Sequence, residues 1–163
     1  MSAFTAAAIT EHAEWLDNLA NEAEMESLVD AFGDSQPLLL GYLMEMGVAD
    51  YREEEQETLF FLGLEIWHLY HQAKLDGTPV SEEALAASQE GNLALLESHD
   101  TEKPREFAKR MQEAIAAHPQ QELMEHMAET LEDDPLVREQ HQTSMLLYLK
   151  IFIDCMEQIR AAV

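Results

Sequence analysis

No lysine or arginine precedes Arg52, and the chain of 163 residues holds only nine in all, against 33 aspartates and glutamates, for a formal net charge of −24. A protein that tracks nucleic-acid phosphates needs a stripe of cations to displace counterions. The sequence offers none, so the reading is no nucleic acid, and anionic bilayers are disfavoured for the same reason. The acids are spread over every segment and form no tail. Solvation is therefore the first account of the charge, and its functional readings are a docking surface for a basic protein or imitation of nucleic acid.

Cysteine is nearly absent. Cys155 alone can form no internal disulfide, and there is no CxxC pattern for zinc, which fits a reducing interior. Its neighbours Ile153 and Met156 predict a buried, apolar thiol. The opening MSAFTAAAITEHAEW has neither a basic leader segment nor a long apolar core. No apolar run reaches the roughly 18–20 residues of a membrane span. The expectation is a cytoplasmic protein with no membrane partner. The six glycines are scattered and match neither a phosphate-binding loop nor a dinucleotide fingerprint, and no G-x-S-x-G elbow occurs. Alternating β-branched runs and hairpin signals are also missing.

What is present is helical periodicity. Ile9, Ala13, Leu16, Ala20 and Ala23 recur at spacings of three and four. Met25, Leu28, Val29 and Phe32 repeat that spacing but point elsewhere, so one straight helix would need two cores. The break belongs near Asn21, where Asn21 and Glu24 form an N-cap pair, and Gly33 is expected to end the second helix. A third, carrying Leu38, Leu39, Tyr42, Leu43 and Met46, follows Ser35 and Pro37 and stops at Gly47. Asp50 with Glu53 should cap the fourth, which runs to Asp76-Gly77. Ser81 opens a fifth through Leu85, Leu93 and Leu96. Asp100 or Thr101 opens a sixth, with Pro104 in its first turn and a stripe of Phe107, Met111, Ala114 and Ile115. Pro119 precedes a seventh, with Leu123, Met127 and Leu131. Asp134-Pro135 starts an eighth, interrupted near Thr143.

The fold class is thus all-α: a single-domain bundle of about eight helices over 1–163. The long helices near 51–75 and 136–161 should form its centre, because apolar residues cover well over a third of each circumference. Lys150 and Asp154 are an i,i+4 pair expected at the outer edge of the last helix. Leu62–Trp67 can be laid over Leu147–Phe152, Met25–Phe32 over Met111–His118, and Pro37 over Pro119. This pattern suggests two four-helix halves, 1–80 and 81–163.

One stretch raises a chemical question. Within LFFLGLEIWHLYHQAK, Glu65 and His68 have the E-x-x-H spacing of carboxylate-bridged metal sites on helices, and His71 lies one turn further on. Glu65, His68 and His71 are the metal candidates. On a helical projection, Thr58, Glu54 and Gln72 fall within ~20° of Glu65, while Leu59, Ile66, Trp67 and Tyr70 lie across from it. Glu65 is therefore expected on the exposed polar stripe of a core helix. A second E-x-x-H pair, which a di-metal bundle needs, is missing. Glu122 with His126 offers only an i,i+4 coincidence, so no metal, cofactor or catalytic residue is assigned.

Triplets such as Glu53-Glu54-Glu55 read as a charged first helical turn favoured by the macrodipole. Met124, Met127 and Trp67 read as core. Trp15, beside Leu16 and Leu19 on an alanine-rich helix, faces its own domain or a partner subunit. By elimination, the leading function is a non-enzymatic protein–protein interaction or regulatory module with an unidentified protein partner, in which a homo-oligomer is allowed. The alternative is a metal-binding protein or metal-dependent enzyme built on the E-x-x-H helix.

Overall fold

A computed structural model describes residues 3–19 and 21–161. Among them it has nine helices: α1 Ala6–Asp17, α2 Glu22–Ser35, α3 Pro37–Glu45, α4 Glu53–Gln72, α5 Glu82–Gly91, α6 Leu93–Thr101, α7 Pro104–Ala116, α8 Gln121–Asp133 and α9 Glu139–Ala161. The all-helical expectation holds, and Ala20 of the first apolar set lies outside the described residues.

Side-chain oxygens start several helices by accepting orphan backbone N–H groups. Thr5 accepts from Ala8 N at 3.1 Å, Asn21 from Glu24 N at 2.9 Å, and Ser81 from Ala84 N at 3.1 Å. The starts expected at Asn21 and Ser81 are therefore found. α3 and α7 open with Pro37 and Pro104, where the absent N–H would have had no intrahelical partner.

Other boundaries differ, and tertiary bonds explain most of them. α2 passes through Gly33 and stops at Ser35, because Gln36 precedes a proline and is held out of helical geometry. The Gln36 side chain is fully buried. Its Nε2 donates to Thr78 O at 2.9 Å and its Oε1 accepts from Val80 N at 2.7 Å, tying the α2–α3 junction to the segment before α5. α3 ends at Glu45, and Gly47 follows with a positive φ of 71°, which suits glycine. α4 begins at Glu53 rather than at an Asp50 cap, and the Glu55 carboxylate reaches back to Arg52 N at 2.9 Å.

The expected fifth helix is two helices, and this is where the ninth comes from. Asn92 divides α5 from α6, its Nδ2 donating to Ser88 O at 2.7 Å and to Asp154 Oδ2 at 2.9 Å. Leu93, expected in the core, is 51% exposed. Asp100 and Thr101 belong to α6, where the Thr101 hydroxyl donates to Glu97 O at 2.7 Å, and α7 opens after Lys103. α9 starts at Glu139 and runs without interruption through Thr143.

α4 and α9 pack on each other at the centre. Every residue from Leu62 to Tyr70 is buried, so this part of α4 is enclosed all round. α1, α2 and α3 lie against α4; α5, α6, α7 and α8 lie against α9; α1 also reaches α8. α3 approaches α4 closely at Gly63, where a Cβ would fall 2.3 Å from Leu43 Cδ1. Trp67, Met124, Met127 and Cys155 are fully buried, and burial pushes the Cys155 thiol up to about 12, leaving it unreactive at neutral pH.

α2, α5 and α6 are less enclosed: α5 and α6 bury only Ser88 and Ser98, and of the 14 residues of α2 Phe32 alone is buried. Met25, Leu28 and Val29, expected as its core face, are only half-buried.

Candidate interaction site

Glu65 and His68 do not form a joint ligand set. The Glu65 side chain is 4% exposed and faces α8, with Oε1 3.5 Å from His126 Nε2. This corrects the expectation of an exposed edge. The polar stripe is real, since Glu54, Thr58 and Glu65 line one cleft. However, Ala13 of α1 and His126 of α8 line the same cleft, and these two helices cover its inner end. His68 turns to α1 instead, where its Nδ1 lies 2.7 Å from His12 Nε2. His71 lies 2.9 Å from Asp76 and stacks on Trp67 at 4.7 Å. Among the described residues, no three His, Cys, Asp or Glu side chains are placed to hold a metal ion.

Two buried polar clusters attach α9 to its neighbours, and both use residues whose roles the sequence hides. Glu55, read as part of a solvated first turn, has no exposed surface. Its carboxylate accepts from Arg52 N, from Arg138 N, Nε and Nη2, and from His141 Nδ1, at 2.7–3.1 Å. Burial alone would raise its pKa, but these bonds outweigh it and bring the carboxyl down to about 2. The signal available in the sequence was Arg138 and His141, three residues apart at the start of α9 in a chain with few cations.

The second cluster centres on Asp154. Its Oδ1 accepts from His118 Nε2 at 2.7 Å, and its Oδ2 from Lys150 Nζ at 2.8 Å and Asn92 Nδ2 at 2.9 Å. The Lys150–Asp154 pair is thus inside the assembly, with side-chain exposures of 13% and 23%, rather than on the outer edge. Burial opposes the Asp154 charge, and the His118, Asn92 and Lys150 bonds more than compensate, lowering its pKa. A His–Asp pair beside a lysine has the outline of a catalytic dyad. Here His118 Nδ1 accepts a backbone bond from Gln120 N at 2.9 Å. Both ring nitrogens are committed, so the imidazole has no lone pair with which to act as a base. The cluster ties α9 to Asn92 and to His118.

The α1–α4 contact is different, because its bonding is incomplete. In the His12–His68 bond one ring must accept, so the two rings cannot both be protonated. His12 Nδ1 is buried with no partner. A proton on Nε2 of His12 leaves that orphan as a bare lone pair, which is cheaper than a stranded N–H. Burial, then the nearby His68 and His126, lower the His12 pKa to about 4, and burial and His71 lower that of His68. The Trp67 indole N–H is likewise buried without a partner.

These side chains border an open cleft of about 660 Å³ between α1, α2 and α4, within the usual range for ligand pockets. Trp15, Leu28, Trp67, His68 and His71 line it. Trp15 is 45% exposed and stacks on His68 at 5.0 Å, nearly parallel. Glu24 also lines the cleft; over their whole surface α1 and α2 expose Glu11, Glu14, Asp17, Glu22, Glu24, Glu26, Asp30 and Asp34, and neither helix carries a lysine or arginine. Four of the six exposed cations gather on α7 and its cap, at Lys103, Arg105, Lys109 and Arg110; the other two are Arg52 and Lys74 at the two ends of α4. The sequence showed the missing cations, but the His12–His68 contact joins distant segments and left no local signal. Comparison of the chain with known protein families, curated proteins and solved structures gave no match.

Proposed function

We propose that the chain is a non-enzymatic, cytoplasmic interaction module that holds a basic segment of a protein partner on its α1–α2 side. The observation that carries this reading is the pairing of eight exposed acids, on two helices without lysine or arginine, and an open cleft lined by Trp15 and Trp67. The 45% exposed Trp15 indole gives a partner's lysine or arginine a second source of attraction besides the carboxylates. Aromatic side chains at the centre of a contact also anchor many interfaces. The completed bonding of His118 and Asp154 supports a role without chemistry, since the most enzyme-like group has no vacant nitrogen.

The same reading takes the chain as one domain of two related halves. In its favour, α2 and α3 pack on each other and on α4, as α7 and α8 pack on each other and on α9. All the buried apolar side chains but Leu16 also form one connected cluster among the described residues.

Affinity capture from an extract of the source cells tests the function. Wild type is compared with a Glu22→Lys, Glu26→Lys, Asp30→Lys triple variant, altered only at exposed sites. A control carries Glu106→Lys and Glu113→Lys on α7, also exposed. The expected result is salt-sensitive capture of a basic protein, lost at least tenfold in the triple variant and kept in the control. Equal loss in both, or loss in neither, would contradict a specific α1–α2 site.

A further inference from the structure

α2 has a second open flank, facing away from the tryptophan cleft. Between α2, α3 and α4 lies a groove of about 440 Å³, lined by Met25, Val29, Leu43, Met44, Phe60 and Phe61. Met44 is 65% exposed, and Met25, Val29, Phe60 and Phe61 are half-buried. Glu53 and Glu57 stand along one edge, one helical turn apart on α4 and both exposed. A helix of 14 residues with a single buried side chain therefore separates two open clefts. The neighbouring α4 is enclosed at every residue from Leu62 to Tyr70.

We infer that this groove receives an amphipathic, basic helix from a partner protein, which thereby grips α2 on the flank opposite the tryptophan cleft. The inference rests on the interaction-module reading and names the partner's form. Three features select that occupant. The groove wall formed by α2 is ~21 Å long at 1.5 Å per residue, enough for the i, i+3, i+4, i+7 anchors of a docked helix. Methionines on both walls, Met25 and Met44, adapt to anchors of varied shape. Glu53 and Glu57 match a lysine or arginine pair at i, i+4 on the incoming helix, beside its apolar stripe.

Charge argues against a second copy of this chain as the occupant. Each copy carries −24, and the groove is walled by α2, which exposes Glu22, Glu24, Glu26, Asp30 and Asp34. The cation-rich helix of the chain, α7, already buries its own apolar stripe of Phe107, Met111 and Ile115, so it has no face left to offer.

The test uses full-length protein with methyl-labelled methionines. The probe is a synthetic 14-residue leucine–lysine helix with its leucines on one face. A second peptide of the same composition has its leucines dispersed around the helix. The expected result is saturable movement of the Met25 and Met44 methyl signals, with Met124 and Met127 still, and at least tenfold weaker binding of the dispersed peptide. Met44→Lys should weaken binding at least tenfold with thermal unfolding unchanged, since that side chain is mostly exposed. Equal affinity for both peptides, or shifts confined to the tryptophan cleft, would overturn the groove while leaving the acidic-surface reading in place. No binding of either peptide at low salt would overturn both. Self-association that Met44→Lys abolishes would overturn the partner in favour of a second copy.

Discussion

The polar clusters that join α9 to its neighbours and the contact of α1 and α2 with α4 bury similar groups and treat them differently. Around α9, Glu55 and Asp154 are charged, enclosed and fully bonded. Around α1, two neutral histidines share one bond, His12 Nδ1 and Trp67 Nε1 have no partner, and α2 buries one side chain between two open clefts. A buried polar group costs free energy until it is bonded. The first region has met that cost with its own residues. The second has not, and it is also the side whose exposed charge is all of one sign. The contrast concerns these two contacts and not every buried group, since Ser98 Oγ of α6, which packs on α9, is also buried without a hydrogen-bond partner; on the function proposed above, the less completely bonded α1–α2 side is the one a partner would meet.

The strongest way to break the comparison is to remove Glu55. Glu55→Ala leaves the Arg138 guanidinium and His141 facing an empty site, and loss of about 3–5 kcal/mol is expected, as for other broken buried pairs. Urea unfolding measures it directly. A loss below about 1 kcal/mol would place Glu55 among ordinary surface charges. Asp154→Ala should cost less, about 2 kcal/mol, because Lys150 and Asn92 still bond each other at 2.6 Å.

Acid separates the two regions by window. His12 is depressed to about 4 from 6.5, so the unfolded chain binds a proton that the folded chain refuses, and stability falls as pH drops from about 6.5 towards 4. His68 is shifted in the same direction. Glu55 is depressed to about 2 from 4.5, so its contribution is complete above about 4.5 and is lost as pH falls towards 2. His12→Leu should flatten the upper window and leave the lower one unchanged, as read from urea midpoints across pH. An unchanged upper window would mean that the His12–His68 contact does not resist protonation.

The smallest effect belongs to α2. Val29→Ala should cost under about 1 kcal/mol, against about 2–5 kcal/mol for Met127→Ala in the closed core, with thermal unfolding as the readout. A cost at Val29 matching that at Met127 would show that α2 is fully seated without a partner.

Much of the scaffold was legible in the sequence. Asn21 and Ser81 are caps by side-chain chemistry that acts within four residues, so they could be read locally. The apolar excess of α4 and α9 gave the central pair. What was hidden depends on contacts between distant segments. Gln36 looks like an ordinary polar residue until Thr78 and Val80 bond to it. Asn92 breaks a helix because Asp154 of α9 takes its side chain. Glu65 was placed correctly on a polar stripe, but the projection of one helix cannot show that α1 and α8 cover its inner end. The candidate site was half legible for the same reason. Its missing cations are a matter of composition, whereas the cleft exists only where α1, α2 and α4 meet.

Native-state hydrogen exchange of the free protein, followed helix by helix, tests most directly whether the α1–α2 side is incomplete by itself. The account predicts that amides of α2, and then of α1, open well before those of α4 and α9, which should exchange only on global unfolding. Protection of α2 equal to that of α9 would contradict it.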